Sequence, residues 1–281
     1  MSTMRTFSTF NGCMSQEQIQ SLSRAFAVLQ AVAASAQPVS VAEIAARTCL
    51  ARPTAHRMAA SLAAEGYLNE SHGRFSIGFE LLPLAAAMLD KNPLRIAALP
   101  HLQELAEKVG ERTNLGIIYR GKVMILGGFE RPMLPTIYSR FGRVIPPHRS
   151  ALGKALLSPL SSEEISAILG EEPYEAATSR TLTTLDAVLK DFEQVRSRGY
   201  ASEIGENSDT SRCIGAPIWL ENGHPVAAIS ISTSSRTARD VTEMVPDLLR
   251  TAELISHVVR AQGSAPLEAS RHRRSSVTLD S

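Results

Sequence analysis

The segment around Lys154 comes closest to a catalytic or phosphate-binding motif in this sequence. Gly153 precedes Lys154, but a phosphate-binding loop also needs a glycine five positions before Gly153 and a hydroxyl residue after the lysine. Those two positions hold His148 and Ala155. Ser150 lies four positions before Lys154, one residue too far for the Ser-x-x-Lys motif of serine acyl transfer. We therefore expect neither of these chemistries here.

The other acidic, thiol and imidazole groups also lack the spacing that catalysis or metal binding requires. Glu203 and Glu206 would make a carboxylate pair, but we favour two solvated loop acids, because no water-excluding partners accompany them. The scattered Cys13, Cys49 and Cys213 exclude a Cys-x-x-Cys zinc site and a disulfide framework. The histidines form no His-Glu-x-x-His pair. We expect no catalytic residue, no metal site and no cofactor.

A group of basic residues without acidic neighbours lies near the amino end. No acidic residue occurs between Glu43 and Glu65. Three arginines, Arg47, Arg52 and Arg57, lie in that interval. Such side chains bond to phosphates and base edges, so we favour a DNA-binding surface over an ordinary solvated face. The residues expected to contact DNA are Arg47, Arg52, Pro53, Thr54, His56, Arg57 and Arg74.

The elements that present these residues follow the order of a winged helix-turn-helix. Apolar residues at helical spacing begin at Ser21, and a short capped helix follows over 40–47. A third helix is predicted over 52–65, and the strands 67–70 and 74–77 form a hairpin behind it. The third helix is the second of a helix-turn-helix pair, which is the helix that enters the major groove in that motif.

The basic surface is local, since residues 17–91 carry six basic and six acidic side chains in total. A modest local surface suggests a dimer, because paired half-sites double the contact with DNA. A further apolar-rich helix is predicted over 79–90, in the position of a linker to the second domain. Its apolar stripe packs either on its own domain or on a partner subunit, and we favour the partner.

The carboxyl-terminal part alternates helices and strands, and Asn222-Gly223 is its strongest hairpin signal. With a two-residue turn at that dipeptide, the strands 212–219 and 226–233 pair so that Ile214 faces Ile231. One side of the hairpin then carries isoleucine and alanine, ready to pack under helices. Pro217 donates no ladder hydrogen bond, so we expect a bulge there.

The other side of the hairpin is composed of small and mildly polar residues. It pairs Cys213 with Ser232 and Gly215 with Ser230. Such a face is either the floor of a small-molecule cavity, which needs a few well-placed polar groups, or a surface covered by a loop. The residue types alone leave both possibilities open.

The overall composition excludes several classes of protein. The 281 residues carry a net charge of +1 and are 44% hydrophobic, which suits two globular domains. The longest nearly unbroken apolar stretch, 81–89, is far shorter than the ~20 residues of a membrane span. The first 20 residues contain no apolar signal region. We expect a cytoplasmic protein without a membrane segment, which the scattered cysteines also favour.

Several stretches together resemble the IclR family of bacterial transcriptional regulators over about 21–262. The matching stretches are Ser21-Leu22-Ser23-Arg24-Ala25, Pro53-Thr54-Ala55-His56-Arg57, Glu65-Gly66-Tyr67-Leu68, Pro147-His148, Ala151-Leu152-Gly153-Lys154-Ala155, Arg198-Gly199-Tyr200-Ala201, Cys213-Ile214-Gly215-Ala216-Pro217-Ile218 and Ala227-Ala228-Ile229-Ser230-Ile231-Ser232. Their order and spacing carry the resemblance.

The resemblance implies an α+β protein with an N-terminal winged helix-turn-helix, a linker helix and a C-terminal GAF/PAS-like effector-binding α/β domain. It implies a palindromic double-stranded DNA operator, a small-molecule effector, and a homodimer or tetramer. The apolar wall and loop of the effector pocket would be Leu134, Ile137, Ile145, Ala151 and Leu152. Its polar side would be Glu203, Ser211, Cys213, Ser230 and Ser232. Three of these lie on the small-residue hairpin face, so we now favour a cavity there.

We expect five segments along the chain. They are a disordered N-terminus at 1–17, the DNA-binding domain at 18–80, the linker helix at 81–94, the effector-binding domain at 95–263 and a disordered tail at 264–281.

The sequence departs from the family pattern at two informative positions. Ala51 stands where a serine is common, so the predicted DNA-reading helix lacks that cap. Arg149 is bulkier and more charged than the usual residue. Together with Arg140, Arg143 and His148, it indicates either a carboxylate-bearing ligand or a solvated basic loop.

The hypothesis is a ligand-gated repressor or activator of metabolic genes. A small organic acid or aromatic metabolite would bind two quaternary arrangements with different affinity, and so change the spacing of the DNA half-sites. The alternative is a small-molecule-binding protein or enzyme whose helical domain makes protein contacts. Salt-dependent, sequence-selective DNA binding separates the two hypotheses.

Overall fold

The computed structural model describes residues 19–130, 141–234 and 240–262. The chain divides into two compact units, and the boundary falls between Met88 and Leu89, inside the expected linker. The ends for which we predict disorder lie outside the described ranges.

The first unit is a winged helix-turn-helix, as the sequence predicts. Its elements are α1 (Gln20–Ala33), β1 (Val39–Ser40), α2 (Val41–Thr48), α3 (Arg52–Ala64), β2 (Leu68–Ser71), β3 (Arg74–Ile77) and α4 (Leu81–Asp90). The predicted capping box opens α2, because the Ser40 hydroxyl accepts from the Glu43 N–H while the Glu43 carboxylate accepts from the Ser40 N–H. The core of the unit contains Val28, Val32, Val39, Ile44, Ala55, Ala59, Leu68 and Phe75.

The wing is the hairpin of β2 and β3, and its turn residues His72 and Gly73 both have positive φ. Strand β1 pairs with β3 so that Val39 lies opposite Phe75. The sequence gives no sign of β1, because a strand of two residues is too short to show alternation.

The second unit is an α/β domain around one antiparallel sheet. Its elements are α5 (Pro93–Val109), β4 (Arg112–Tyr119), β5 (Lys122–Phe129), β6 (Val144–Ile145), α6 (Ala151–Leu157), α7 (Ser162–Leu169), α8 (Leu185–Arg198), β7 (Ala201–Ile204), β8 (Ser211–Trp219), β9 (Pro225–Ser234) and α9 (Val245–Ala261). The strand order is β6-β5-β4-β9-β8-β7. Helices α5 and α9 pack on one face of this sheet, and α6 packs on the other. The two units together confirm the predicted α+β class.

From Ser211 to Ile218 the β8–β9 hairpin has the predicted register, with Ile214 opposite Ile231 and Cys213 opposite Ser232. The expected two-residue turn is wrong, because the Leu220 N–H donates to the His224 carbonyl oxygen and so encloses a loop of three residues. The expected bulge at Pro217 is wrong, because the register shifts one residue later, after Ile218. Strand β7 pairs with β8 only as far as Gly215, so at Pro217 the β7 side of the strand has no ladder hydrogen bond to lose.

The last helix is preceded by a separate short turn. A 3-10 turn covers Val241–Met244, and α9 starts only at Val245. Pro246 explains the break, because proline is tolerated in the first turn of a helix but not in its interior.

Candidate functional site

The side chains of α3 divide into a buried and an exposed face. Ala55 and Ala59 are fully buried in the core of the first unit. Arg52, His56 and Arg57 are exposed, and among the described residues none of the three has a hydrogen bond or ion pair from its side chain. Their donors are therefore available to an external anion or base edge.

The start of α3 adds backbone donors to this surface. Pro53 is exposed in the first turn, where its missing N–H removes nothing from the helix. Ala51 is the N-cap residue, and no side chain caps the helix, as the sequence predicts. Thr54 is half-buried beside it. An uncapped helix start favours phosphate through its N–H groups and its dipole.

Arg47 and Arg74 also make contacts within the first unit. Arg47 donates from Nη1 to the Ala31 carbonyl oxygen at 3.0 Å, which joins α2 to α1. Arg74 donates from Nε to the Pro38 carbonyl oxygen at 2.9 Å and lies 3.2 Å from the Glu43 carboxylate. Both side chains are exposed, so each combines an internal contact with remaining surface donors.

In the second unit, the α6-facing side of the sheet carries a continuous row of small and polar residues. Its members, one from each of five adjacent strands, are Ala201, Gly215, Ser230, Asn114 and Gly128. A parallel row consists of Glu203, Cys213, Ser232 and Arg112. Thr113, which alternates with its neighbours on β4, points the other way and donates to the Leu102 carbonyl oxygen of α5. The two rows form the candidate effector floor.

The amino end of α6 covers part of this floor. A methyl group added at Gly215 would lie 2.6 Å from the carbonyl oxygen of Ala151, and one at Gly116 would lie 3.0 Å from Leu152 Cδ1. The glycine at 215 is thus required by close packing of α6, which the sequence did not predict. Ile145 is half-buried beside the same helix. The predicted Leu134 and Ile137 lie outside the described residues.

Asn114 connects the polar side chains of the floor. Its Nδ2 donates to Ser230 Oγ at 3.1 Å and to Ser232 Oγ at 3.3 Å. The Cys213 thiol lies 3.3 Å from the same Ser232 oxygen. The sequence interpretation missed Asn114, although a polar residue among the apolar residues of β4, on the face away from α5, is a usable signal.

Glu203 is 1% exposed, so the prediction that it is a solvated loop acid is wrong. Its Oε1 accepts from the backbone N–H groups of Glu206 and Asn207 at 2.6 and 3.0 Å, and from Ser211 Oγ at 2.7 Å. The loop after β7 folds back over this carboxylate, so protein donors take the place of water. The predicted Glu203 and Ser211 are thereby in direct contact.

The prediction that Glu206 is a solvated loop acid is also wrong, because Glu206 belongs to a largely buried cluster of charged side chains. Lys154 is 1% exposed, and its Nζ lies 2.6 Å from Glu206 Oε1. Asp191 Oδ2 lies 3.0 Å from the same nitrogen but is not aligned as a hydrogen-bond acceptor. Burial raises the pKa of Glu206, and the attraction of Lys154 offsets this only in part. The cluster joins α6, α8 and the loop after β7.

Two members of the predicted basic group, His148 and Arg149, contact Glu175 within the protein. Arg149 lies 3.3 Å from the Glu175 carboxylate, and its side chain is 13% exposed. The buried His148 ring bonds through Nε2 to the Glu175 carbonyl oxygen, and burial lowers the pKa of this histidine. These contacts contradict a solvated loop at both positions and direct both side chains to Glu175. Arg143 is exposed, and Arg140 lies outside the described residues.

Across 19–130, 141–234 and 240–262, no cluster of three or more histidine, cysteine, aspartate or glutamate side chains is placed to hold a metal ion. None of the helices in these ranges has the length and apolar character to span a membrane.

Two family models match most of the chain. The model described as the bacterial transcriptional regulator IclR C-terminal matches residues 86–257. The model described as the IclR helix-turn-helix domain matches residues 21–71.

Individual relatives agree with these matches. The chain is 32% identical to the Glycerol operon regulatory protein of Streptomyces coelicolor, over 82% of this chain and 91% of that protein. It is 30% identical to the HTH-type transcriptional regulator XynR of Escherichia coli, over 79% of this chain and 89% of that protein. A crystal structure of an IclR homolog from Microbacterium hydrocarbonoxydans, complexed with 4-hydroxybenzoate, shows the same fold with a TM-score of 0.70 at 24% identity, covering 86% of this chain and 99% of that one.

One family model thus matches each of the two units, and single relatives match both units together. The chain belongs to the IclR family of bacterial transcriptional regulators.

Proposed function

We propose that the protein is a ligand-controlled DNA-binding regulator of metabolic genes, in which α3 reads an operator and the candidate effector floor binds a small metabolite. The observation that carries the proposal is the exposed face of α3, where Arg52, His56 and Arg57 have no partner from their side chains in the described part of the chain. Family membership makes DNA the partner that fits this face.

The proposed DNA contacts are of two kinds, namely contacts with base edges from α3 and contacts with phosphates from Arg47 and Arg74. The amino-terminal half of α3, with Arg52, Pro53, Thr54, His56 and Arg57, enters the major groove, where exposed polar side chains reach base edges. Arg47 and Arg74 are held by contacts inside the unit and contribute phosphate contacts with their remaining donors, which fix position more than sequence.

The proposed assembly is a homodimer or tetramer on a palindromic operator. Phe79 is 81% exposed, and α4 buries none of its residues within its own unit. The exposed large apolar residues of this region and of α1 are Ile19, Leu22, Phe26, Phe79, Leu82, Leu84 and Met88. A concentration of exposed apolar side chains is typical of a subunit interface, and two copies of α3 would then face two half-sites.

The proposed effector is a small organic acid or aromatic metabolite. One solved relative contains 4-hydroxybenzoate. This ligand supports the proposed class, because it is both a small organic acid and an aromatic compound. The wall residues Ile145, Ala151 and Leu152 would hold its apolar part, while the polar side of the floor holds its oxygens. Binding controls DNA affinity only if the ligand prefers one quaternary arrangement over the other.

The test is a fluorescence anisotropy titration of the full chain with a labelled duplex from the region upstream of its own gene, against a scrambled duplex. We expect selective binding whose affinity falls steeply between about 50 and 200 mM salt, because phosphate contacts release counterions. Arg57→Ala is expected to weaken the free energy of binding to the operator duplex by about 1–3 kcal/mol. Arg250→Ala is the matched control, since Arg250 is an exposed arginine on α9. Equal affinity for both duplexes would favour the small-molecule binder or enzyme instead.

A further inference from the structure

The amide of Asn114 stands between two serine hydroxyl groups on the candidate effector floor. Asn114 is 7% exposed, and its Nδ2 lies 3.1 Å from Ser230 Oγ and 3.3 Å from Ser232 Oγ. The cross-strand pairing places Asn114 directly opposite Ser230. One nitrogen atom thus donates hydrogen bonds to two hydroxyl groups that lie on the same side of β9.

The chemistry of these bonds fixes where the hydroxyl protons go. An amide nitrogen only donates, so both serine oxygens act as acceptors toward Asn114 and keep their own protons for another acceptor. Ser232 Oγ also accepts from the Cys213 thiol. Among the described residues, neither Ser230 nor Ser232 donates from its hydroxyl group to a protein acceptor. Both O–H donors are therefore available to a ligand.

The two donors are close enough to serve one functional group. Both oxygens lie within 3.3 Å of a single nitrogen atom, so they match the two oxygens of one carboxylate. Gly128, which lies opposite Asn114, adds no side chain beside the two hydroxyl groups, whereas on the other side Ala151 of α6 covers the floor at Gly215.

The charges at the two ends of the floor favour an anion on the β4 side. Arg112 lies opposite Ser232 and forms an ion pair through its Nε with Glu130 Oε2 at 2.6 Å. Among the described residues its two Nη groups have no hydrogen bond, so they can still donate to an anion. At the other end, Glu203 lies opposite Cys213 and would repel an anion, although three donors compensate its charge.

We infer that Asn114 is a positioning residue of the effector site, which directs two hydroxyl protons toward the ligand and so selects a carboxylate over the corresponding amide. The inference rests on the proposed function, because it takes the sheet face under α6 as the place where the effector binds. Asn114 acts through Ser230 and Ser232 and need not touch the ligand itself.

The test measures ligand selectivity. Wild type is titrated by thermal shift and calorimetry with matched pairs, namely acetate and acetamide, benzoate and benzamide, and 4-hydroxybenzoate and 4-hydroxybenzamide. We expect at least one carboxylate to bind about 10-fold or more tightly than its amide, because each lost charge-assisted hydrogen bond costs roughly that factor. Equal binding of carboxylate and amide within all three pairs, or binding of none of the carboxylates, would overturn the inference.

Two variants then test the role of the amide. Asn114→Asp replaces the donor with an acceptor that takes both hydroxyl protons, so the carboxylate preference should fall about 10- to 100-fold or reverse. Asn114→Leu removes the orienting bond and should reduce the preference by about 3- to 10-fold. Asn222→Asp, in an exposed hairpin turn where the side-chain oxygen is the acceptor, is the matched control. An unchanged preference in Asn114→Asp would show that the amide does not orient the serines.

Folding and DNA binding are measured on the same samples. Should Asn114→Asp unfold, Ser232→Ala takes its place and is expected to reduce the carboxylate preference by about 10-fold, because it removes one donor. Every folded variant should bind the operator duplex like wild type in the absence of ligand. Loss of operator binding by the wild type itself would contradict the proposed function, whereas retained operator binding with unaltered selectivity contradicts only the role of Asn114.

Discussion

The Lys154 ammonium lies 2.6 Å from the Glu206 carboxylate, although the lysine side chain is 1% exposed and the glutamate side chain 12%. This contact joins α6, whose first residues cover part of the candidate effector floor, to the loop that folds over Glu203. Asp191 on α8 shares the same ammonium. One cation therefore holds three segments of the second unit together around the candidate site.

Removing that cation is expected to destabilise the second unit. Lys154→Met leaves the half-buried Glu206 and Asp191 carboxylates without their counter-ion, and because a broken buried ion pair costs about 3–5 kcal/mol, we expect a loss toward the lower end of that range. The single tryptophan, Trp219, lies on β8, so urea unfolding followed by its fluorescence reports on this unit. Lys190→Met, which removes only a solvent-exposed pair with Asp186, is the control and should leave the transition unchanged. Equal transitions for the two variants would contradict a structural role of the cluster.

The pH dependence of stability should carry the signature of Glu206. Burial raises the pKa of Glu206, so between its ordinary value and the raised value the unfolded chain loses this proton first. The stabilising contribution is complete below the ordinary pKa and is lost as the pH rises through the raised one. The unfolding free energy of wild type minus that of Glu206→Gln should thus decrease as the pH rises above the ordinary pKa of a glutamate, about 4.3. A difference that increases with pH would indicate a lowered pKa instead.

The exposed arginines of α3 should affect DNA binding without affecting stability. Arg52→Ala and Arg57→Ala should each reduce the salt slope of operator binding by about 1 if the arginine contacts a phosphate, or relax sequence preference if it contacts a base. Their thermal unfolding should match wild type, because neither side chain has a partner in the described residues. A drop in melting temperature that parallels the loss of affinity would assign these arginines to folding.

Gly215 should not tolerate a side chain. The methyl group of Gly215→Ala would lie 2.6 Å from the Ala151 carbonyl oxygen, so α6 must move and the free energy of unfolding should fall by about 1–3 kcal/mol. Gly127→Ala is the control, because its methyl group would meet the flexible Leu99 and Arg95 side chains. Ligand affinity should also fall in Gly215→Ala, since α6 covers the floor. Wild-type stability of this variant would show that α6 shifts freely.

Local signals in the sequence predicted the helix-turn-helix and the hairpin. The capping box at Ser40, the missing cap at Ala51 and the turn at Asn222-Gly223 each depend on residues that are close together in the chain. The predicted register of β8 and β9 is confirmed from Ser211 to Ile218, and with it the contact between Cys213 and Ser232, although a one-residue shift at Trp219 compensates for a turn longer than expected. These features need no knowledge of the rest of the fold.

The contacts that the sequence did not predict join distant segments. Lys154 and Glu206 are 52 residues apart, and Asn114 and Ser230 are 116 residues apart. Neither pair shares a periodic pattern, so only the strand order and the position of α6 bring them together. For the same reason Glu203 and Glu206, which have the composition of solvated loop residues, are buried: the loop supplies its own backbone N–H groups.

The two strands that carry Asn114, Ser230 and Ser232 are the central pair of a six-stranded sheet, with hydrogen-bonded neighbours on both sides. A strand that is hydrogen-bonded along both edges resists deformation. We therefore expect the candidate effector floor to change little in shape when ligands of different size bind. New ligand preferences are therefore best sought by randomising the wall residues Ile145, Ala151 and Leu152, while the residues of the central strands are left unchanged. A library built on that division should yield more folded variants with altered responses than one that targets the strands.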